Sequence, residues 1–480
     1  MATDRPASPL DPSGELRGLA DDCVHCGFCL PACPTYQLWG EEMDSPRGRI
    51  HLITQILDGT EGTRAAAEHL DRCLGCMACV TACPSGVRYD RLIEAARGWA
   101  GEPPGEPGPP GHLPGNRSRP GAPPPAGPRA GAPLPRRALR ERATRAAIFS
   151  VFPYPRRLRM AIMPLRAAQR ARLVSVLNRS GLAERLSPEL AAALRLAPDP
   201  PPGGGLLRRA AGRQAPRALP GRLQARSPRR AVVGMLTGCV QRVFFPQVNA
   251  ATARVLAAEG CDVVIPAGQG CCGALSLHGG RRAEAARFAR QAIGTFERAG
   301  VDAVVVNSAG CGSAMKEYAE LLAGDAGWSG RAAALAGMVR DLSEFLAELG
   351  PAAPRHPLHI TAAYHDACHL AHAQRITAQP RELLTAIPGL RLADIADGST
   401  CCGSAGIYNL VQPDAASELG RRKADNVAAT GADLLVAGNP GCTMQIASAL
   451  AARGAAMPMA HIAEVLDASI RNAGPAALLA

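Results

Sequence analysis

Over the second half of the chain, short aliphatic and β-branched runs alternate with amphipathic stretches. Ala231 to Met235, Asp262 to Ile265 and Ala303 to Val306 read as strands, with helical periodicity at Val248 to Ala258 and Arg281 to Arg298. The alternation then returns, with strands at Thr361 to Tyr364, Arg391 to Ile395 and Leu434 to Ala437 and helices at Pro380 to Ala386 and Ala415 to Ala429. Strand–helix alternation of this kind predicts parallel sheets covered on both faces. In the first hundred residues the signal is helical: Ile50, Ile53, Ile56 and Leu57 recur behind Ser45-Pro46, an N-cap followed by proline at the first helical position.

The middle of the chain reads differently. Residues 101–135 hold 13 Pro and 8 Gly, a composition that cannot build a core and predicts an extended, semi-rigid linker. Residues 136–197 regain helical periodicity, with Leu158, Ile162 and Leu165, then Leu173, Val176 and Leu177, on apolar faces between arginines. Pro198 to Arg230 is a second loose stretch, and residues 1–20 read as a flexible leader. The expected architecture is multidomain α plus α/β, divided at 1–100, 101–230, 231–355 and 356–480.

Cysteine spacing supplies the chemistry. Cys23-Val24-His25-Cys26-Gly27-Phe28-Cys29-Leu30-Pro31-Ala32-Cys33-Pro34 is followed fifty residues later by Cys73-Leu74-Gly75-Cys76-Met77-Ala78-Cys79-Val80-Thr81-Ala82-Cys83-Pro84. Both read C-x₂-C-x₂-C-x₃-C-P, the run in which three thiolates hold one cubane iron–sulfur cluster and the fourth reaches across to another. On that rule Cys23, Cys26, Cys29 and Cys83 ligate one [4Fe–4S] cluster, and Cys73, Cys76, Cys79 and Cys33 the second. Gly27, Gly75 and Ala78 let the backbone approach the sulfides, while Pro34 and Pro84 restrict the cysteines before them. Structural zinc calls for two separated C-x₂-C pairs instead. The helical connector between the runs makes this an α-helical ferredoxin module, and within it Arg47 and Arg49 either offset cluster charge or are simply solvated.

An internal repeat organises the remaining cysteines. Cys239, Cys271-Cys272-Gly273 and Cys311 recur as Cys368, Cys401-Cys402-Gly403 and Cys442, with offsets of 129, 130, 130 and 131, which indicates a duplicated domain. Each cysteine group falls just after a predicted strand, where open α/β sheets gather ligands, so each quartet is a candidate further metal or cluster site. His365, His369 and His372 surround Cys368 as metal ligands, a proton relay or hydrogen-bonded scaffold. Gly268-Gln269-Gly270-Cys271-Cys272-Gly273 matches G-x-G-x-x-G literally, but Asp397 and Thr400 in the second copy and the late helix start argue against dinucleotide binding. No catalytic triad, phosphate loop or carboxylate pair stands out.

Seventeen cysteines, an odd number, behind a polar opening point to a reducing cytosolic compartment. The net charge of +12 is uneven: residues 136–230 hold 22 arginines and no lysine against four acids, a local +18 that leaves −6 elsewhere. Little aromatic interleaving accompanies that stretch, which argues against nucleic acid and for an anionic membrane surface or acidic partner. No uninterrupted apolar run is long enough to span a bilayer. The expected location is the cytoplasmic face of the inner membrane, peripherally attached.

Taken together, the paired cysteine runs, Ser45-Pro46-Arg47-Gly48-Arg49-Ile50, Leu70-Asp71-Arg72-Cys73, Thr237-Gly238-Cys239-Val240-Gln241, the doubled C-C-G, Tyr364-His365-Asp366-Ala367-Cys368-His369 and Cys401-Cys402-Gly403-Ser404-Ala405-Gly406 resemble the glycolate oxidase iron–sulfur subunit family. The wider group shares a ferredoxin module and two cysteine-rich CCG domains, and includes iron–sulfur subunits of anaerobic glycerol-3-phosphate dehydrogenase, lactate-utilisation proteins and heterodisulfide reductase. The resemblance implies a subunit of an acceptor-dependent 2-hydroxy-acid oxidoreductase, with FAD and the substrate site on a partner flavoprotein. Electrons from glycolate oxidation to glyoxylate would pass through two [4Fe–4S] clusters here toward a quinone or other acceptor. Alternatives are a D-lactate or glycerol-3-phosphate dehydrogenase subunit, a thiol–disulfide reductase acting at a CCG site, or CCG domains that serve only for docking. Related heterodisulfide reductase domains carry one more cysteine, where Ser308 and Asn439 stand here, which argues against a non-cubane cluster and against the reductase.

Overall fold

The computed structural model describes residues 8, 10–59, 64–99, 139–171, 173, 174, 177, 180, 185, 188–197 and 219–479. The Pro/Gly linker, most of the second loose stretch, the first seven residues and Val176 lie outside them. Helices Glu15–Asp21, Pro34–Trp39, Pro46–Leu57, Arg64–Asp71, Ala78–Ala82 and Tyr89–Trp99 build the amino-terminal module. Ser45 caps the third, accepting a 3.0 Å hydrogen bond from the Gly48 N–H with Pro46 in the first turn. Ile50, Ile53, Ile56 and Leu57 form its core with Leu70, Leu92, Ile93 and Ala96, each large side chain contributing about 1.5–3 kcal/mol by burial.

The leader expected over residues 1–20 is corrected from Glu15 onward, where a helix runs to Asp21. Ala20 is buried in the module core, Arg17 donates its N–H to Asp11 at 2.9 Å, and its guanidinium meets Asp58 at 2.5 Å. Seven residues with one buried alanine carry too little periodicity to be read from the chain alone.

The basic connector is helical at Leu139–Val151, Pro155–Arg170 and Pro188–Leu196. Leu158 and Ile162 pack on Val243, while Ile148 and Phe149 pack on Ile407, so apolar faces of the connector rest on the chain's own domains. Its outward face carries Arg156, Arg157, Arg159 and Arg170 beside exposed Met160 and Met163. Among the described residues no helix is long and apolar enough to cross a membrane.

Two sheets follow. The first contains β1 (Arg222–Leu223), β2 (Ala231–Leu236), β3 (Cys261–Val264), β4 (Ala303–Val306) and β5 (Val339–Asp341) in the order β1-β3-β2-β4-β5. All pairs are parallel except β1 with β3. β1 corrects the reading of Pro198 to Arg230 as loose throughout: Leu223 pairs with Val263, and Arg222 reaches Asp262 at 2.8 Å. The second sheet contains β6 (Ile360–His365), β7 (Leu390–Ala393), β8 (Leu434–Ala437) and β9 (Met459–His461) in the order β7-β6-β8-β9, all parallel.

The duplication is visible in the packing. Helix Pro246–Ala258 follows β2 and lies on helix Ile462–Ile470, which follows β9; helix Leu342–Leu349 follows β5 and lies on helix Ala378–Thr385, which follows β6. These two reciprocal contacts relate the repeats by a pseudo-twofold. Leu256, Val255, Leu346, Leu384, Val465 and Leu466 form one continuous core between the sheets. Arg254 closes it with two bonds to Asp467, at 2.6 and 2.9 Å. Both post-β5 and post-β9 helices open on a capping box, Asp341 with Glu344 and His461 with Glu464.

Candidate functional site

Two adjoining cavities lie beside the cysteine runs. Cys23, Cys26, Cys29 and Cys83 line the first; Cys33, Cys73 and Cys76 line the second; Cys79 borders both. Each run thus sends its last cysteine to the cavity of the other. His25 and Gly27 in one loop, and Gly75 and Met77 in the other, adopt positive φ, which winds both backbones into tight left-handed turns. A guanidinium covers each loop: a Cβ on Gly27 would sit 3.0 Å from Arg47 Nη1, and one on Gly75 3.3 Å from Arg97 Nη1.

The Ser45 to Ile50 stretch explains itself at this point. Arg47 bonds Glu42 at 2.6 Å and the His25 carbonyl at 3.1 Å, holding the first loop against its helix. A Cβ on Gly48 would come within 2.0 Å of the Glu42 carbonyl oxygen, so no larger residue fits. Arg49 is fully buried, donating to the His69 carbonyl at 2.7 Å, to Thr35 Oγ1 at 3.1 Å and to Asp44 at 3.2 Å. Of the two readings of this pair, solvation therefore fails for Arg49. Its charge stands beside Cys33 and Cys73. Burial pushes the Cys73 thiol up, but Arg49, Arg97, the Tyr89 hydroxyl and the Gly75 N–H together bring it below the ordinary thiol value.

The two sites differ in exposure. Cys26 is open to solvent, flanked by Val24 and Phe28 at 68% and 67% exposure, whereas Cys33, Cys73, Cys76 and Cys79 are buried. The inner site abuts the second cysteine-rich domain: Leu74, Cys76 and Ala78 share one apolar cluster with Cys368, Cys401 and Tyr408. Burial, followed by the Cys368 sulfur, raises the Cys76 thiol. His372 bridges the same boundary, meeting Thr81 Oγ1 and the Ser399 carbonyl, each at 3.1 Å.

Both later quartets converge at the carboxyl ends of their strands. Cys239 and Cys271 sulfurs lie 3.6 Å apart, and the Tyr318 hydroxyl fixes the Cys272 carbonyl at 2.6 Å. Bonds from the Cys239 and Cys272 thiols, against the effect of burial, lower Cys271, aided by the Gly273 N–H and Arg242. In the second quartet the Cys401 thiol, again against burial, and His369 lower Cys368; Cys401 and Cys442 likewise lower Cys402, with His365 assisting. Asn439 Nδ2 donates to Cys442 Sγ at 3.4 Å. Ser308 and Asn439, three residues before Cys311 and Cys442, bond each other across the repeats at 3.3 Å. The Gly268 to Gly273 loop leads into a helix of five residues, Ala274–His278, with Gln269 held by Thr237, and carries Cys271 and Cys272 of the first quartet.

A buried titratable cluster is not legible in the sequence as a cluster because four distant segments, carrying Glu94, His278, Glu317 and His369, assemble it. His278 Nδ1 lies 2.9 Å from Glu94 Oε1, and its ring stacks on His369 with centroids 4.8 Å apart. Burial, with Asp90 adding, raises Glu94 to about 7; burial, with Glu94 adding, raises Glu317 to about 7. Burial also depresses His278 to about 3. Desolvation outweighs mutual attraction here, so between about pH 3 and about pH 7 the Glu94–His278 contact joins a largely protonated carboxyl to a largely neutral imidazole.

Two outcomes follow from this geometry. A Cβ on Gly403, at φ +88°, would lie 2.6 Å from the Ala416 carbonyl oxygen, against 3.1 Å from that of Ala285 for the equivalent Gly273. Gly403→Ala should destabilise by about 2 kcal/mol or more and Gly273→Ala by about 1, read as thermal midpoints of anaerobic protein. Glu94 keeps in the fold a proton that the unfolded chain releases from its ordinary value of 4.5 upward, so its contribution to stability falls as pH rises from there to about 7. Glu94→Gln should therefore gain on wild type between about pH 5 and about pH 8, by at most about 3 kcal/mol; a difference independent of pH would refute the assignment.

Family models and whole-chain relatives agree with this architecture. A 4Fe-4S dicluster domain model matches residues 19–87, a cysteine-rich domain model matches 233–316 and 362–447, and a model for the linker region of the glycolate oxidase iron-sulfur subunit matches 140–197. The chain is 35% identical to the probable glycolate oxidase iron-sulfur subunit of Bacillus subtilis, over 93% of each chain. It is 34% identical to the glycolate oxidase iron-sulfur subunit of Escherichia coli over 89% of each. Lactate utilization protein A of Shouchella clausii is 34% identical over 98% of its own length but only 49% of this chain. Carrying the dicluster module, the connector and both cysteine-rich domains, the chain belongs to the glycolate oxidase iron–sulfur subunit family.

Proposed function

We propose that this chain is the electron-relay subunit of a flavin-dependent glycolate dehydrogenase, accepting electrons from a flavoprotein partner that carries FAD and oxidises glycolate to glyoxylate. Cys23, Cys26, Cys29 and Cys83 hold one [4Fe–4S] cluster and Cys73, Cys76, Cys79 and Cys33 the other. The observation that carries this reading is the crossed grouping of thiols, with Cys83 beside the first run and Cys33 beside the second. When bound, the clusters supply one-electron carriers between a two-electron flavin and the acceptor.

The protein's part is electrostatic and steric. Arg49 and Arg97 offset thiolate charge at the inner site, and the Tyr89 hydroxyl and Gly75 N–H, 3.5 and 3.3 Å from Cys73 Sγ, shape its potential. The exposed Val24 and Phe28 beside Cys26 offer an edge at which a partner can approach the outer site. The inner site adjoins the second quartet, so a relay from outer site to inner site to second cysteine-rich domain follows the packing. The quartets Cys239, Cys271, Cys272, Cys311 and Cys368, Cys401, Cys402, Cys442 are then further metal stations. A lactate substrate for the complex is the second reading, favoured by the match to lactate utilization protein A.

Co-purification of a tagged chain with a flavoprotein, followed by assay with glycolate and D-lactate, tests the reading and separates the substrates. Cys76→Ser should abolish one cluster's reduction signal and glycolate-dependent dye reduction while leaving partner flavin reduction intact; surviving dye reduction would overturn the relay order. About eight irons per chain correspond to two cubanes alone, and about twelve to sixteen to occupied quartets as well. The exposed connector arginines draw the complex to an anionic membrane surface, and binding to anionic vesicles should weaken as salt rises; binding insensitive to ionic strength excludes that attraction.

A further inference from the structure

The two cysteine quartets are not equivalent, and their sharpest difference is one residue. Three positions before the first cysteine of each repeat, at the end of β2 and β6, the first repeat has Leu236 and the second has His365. Leu236 sits in the apolar core. His365 is 1% exposed, yet neither of its ring nitrogens has a hydrogen-bond partner. An imidazole stripped of water, with no nitrogen or oxygen partner and only a thiol beside it, is costly, and a native fold rarely tolerates it without something more at the ring. What faces the ring is sulfur: donor atoms of His365, Cys402 and Cys442 lie within 4.8 Å of one another, all buried.

The surroundings are built for such a centre. Asn439 Nδ2 holds the Cys442 sulfur at 3.4 Å, which fixes its orientation. Lys423, itself buried, anchors its ammonium on the Asp397 and Gly398 carbonyls at 2.6 and 3.1 Å and brings a positive charge toward the thiols. Cys401 stands next in the chain to Cys402, and Cys368, three residues past the end of β6, closes the quartet against Cys401, so a fourth ligand is at hand.

We propose that the second cysteine-rich domain holds a mixed imidazole–thiolate metal centre, in which His365, Cys402 and Cys442 bind a borderline-soft transition metal, zinc or iron, with Cys401 or Cys368 completing a tetrahedral set. One nitrogen and three sulfurs suit either ion. The first quartet, facing Leu236, offers sulfur alone. This deepens the reading of the second quartet as a metal station, but it depends on neither glycolate nor a flavin partner, so failure of the relay would leave it standing. An iron ligated partly by imidazole is held at a higher potential than one ligated by thiolates alone, which would make this the electron-accepting end of the chain's metal sites; zinc would make it structural.

The test uses the full chain purified without air. His365→Leu installs the residue of the first repeat and fits a buried apolar position. Wild type should carry one metal complement more than His365→Leu, while the irons and paramagnetic signals of the amino-terminal module stay equal in both. Unchanged metal content in a folded His365→Leu chain would overturn the proposal. Should that variant not fold, wild type decides alone: zinc-edge absorption with one nitrogen at about 2.0–2.1 Å beside sulfurs at about 2.3 Å, or hyperfine coupling from ¹⁵N-histidine to reduced iron, supports it. An all-sulfur zinc shell, absence of ¹⁵N coupling from a quartet iron, or no metal beyond the amino-terminal module overturns it.

Discussion

Thiolates crowded into a protein interior repel one another and lose their hydration, and the fold is arranged around that cost. The amino-terminal module meets it with cations, and of the two roles open to Arg47 and Arg49 in the sequence, charge compensation or solvation, Arg49 takes the first. Arg49 lies entirely inside, held by Asp44, Thr35 and the His69 carbonyl. Asp44, equally buried, is shared with Arg72 and His69. A buried ion network of this kind contributes little net stability compared with an apolar core of the same volume, yet losing one member leaves an unpaired charge in low dielectric. Its value is positional: a fixed positive charge between Cys33 and Cys73, on a helix whose start is set by the Ser45 cap and whose approach is set by Gly48.

The duplicated half of the chain solves a different problem. Each sheet buries one face against its own helices and shares the helices after β2, β5, β6 and β9 with the other repeat, so the two domains form one body with a continuous core. Apart from the extra edge strand β1, the repeats differ most clearly around their cysteines. Cys368 rests against the inner site of the ferredoxin module, whereas no cysteine of the first quartet shares that apolar cluster. Ser308 and Asn439, three residues before Cys311 and Cys442, join the repeats.

Much of this was legible because some features repeat at fixed spacing. The two cysteine runs, the recurrence of C-C-G and the strands around them depend on local order in the chain, and helix ends predicted from Val248, Arg281 and Ala415 fall within two residues of those observed. Features assembled from distant segments were not legible. Glu94, His278 and Glu317 look like ordinary polar residues, and His369 like a neighbour of Cys368 alone, until four segments bring them together. β5 and β9 have three residues each and leave no alternation to detect. Helix Ser329–Met338 is rich in alanine and glycine, so its buried Ala332 and Leu335 form no clear stripe. Composition also misled at the amino terminus, where a polar, proline-containing opening hid the helix Glu15–Asp21.

The unequal depth of the two ferredoxin cavities bears on how the molecule fails. A diffusing oxidant reaches Cys26 without displacing any part of the protein, whereas Cys76 is buried beside the contact that Leu74 and Ala78 make with the second cysteine-rich domain. Damage by air therefore begins at the rim and travels inward, and the domain contact bridged by His372 and Thr81 acts as a gasket whose tightness sets how long the interior survives.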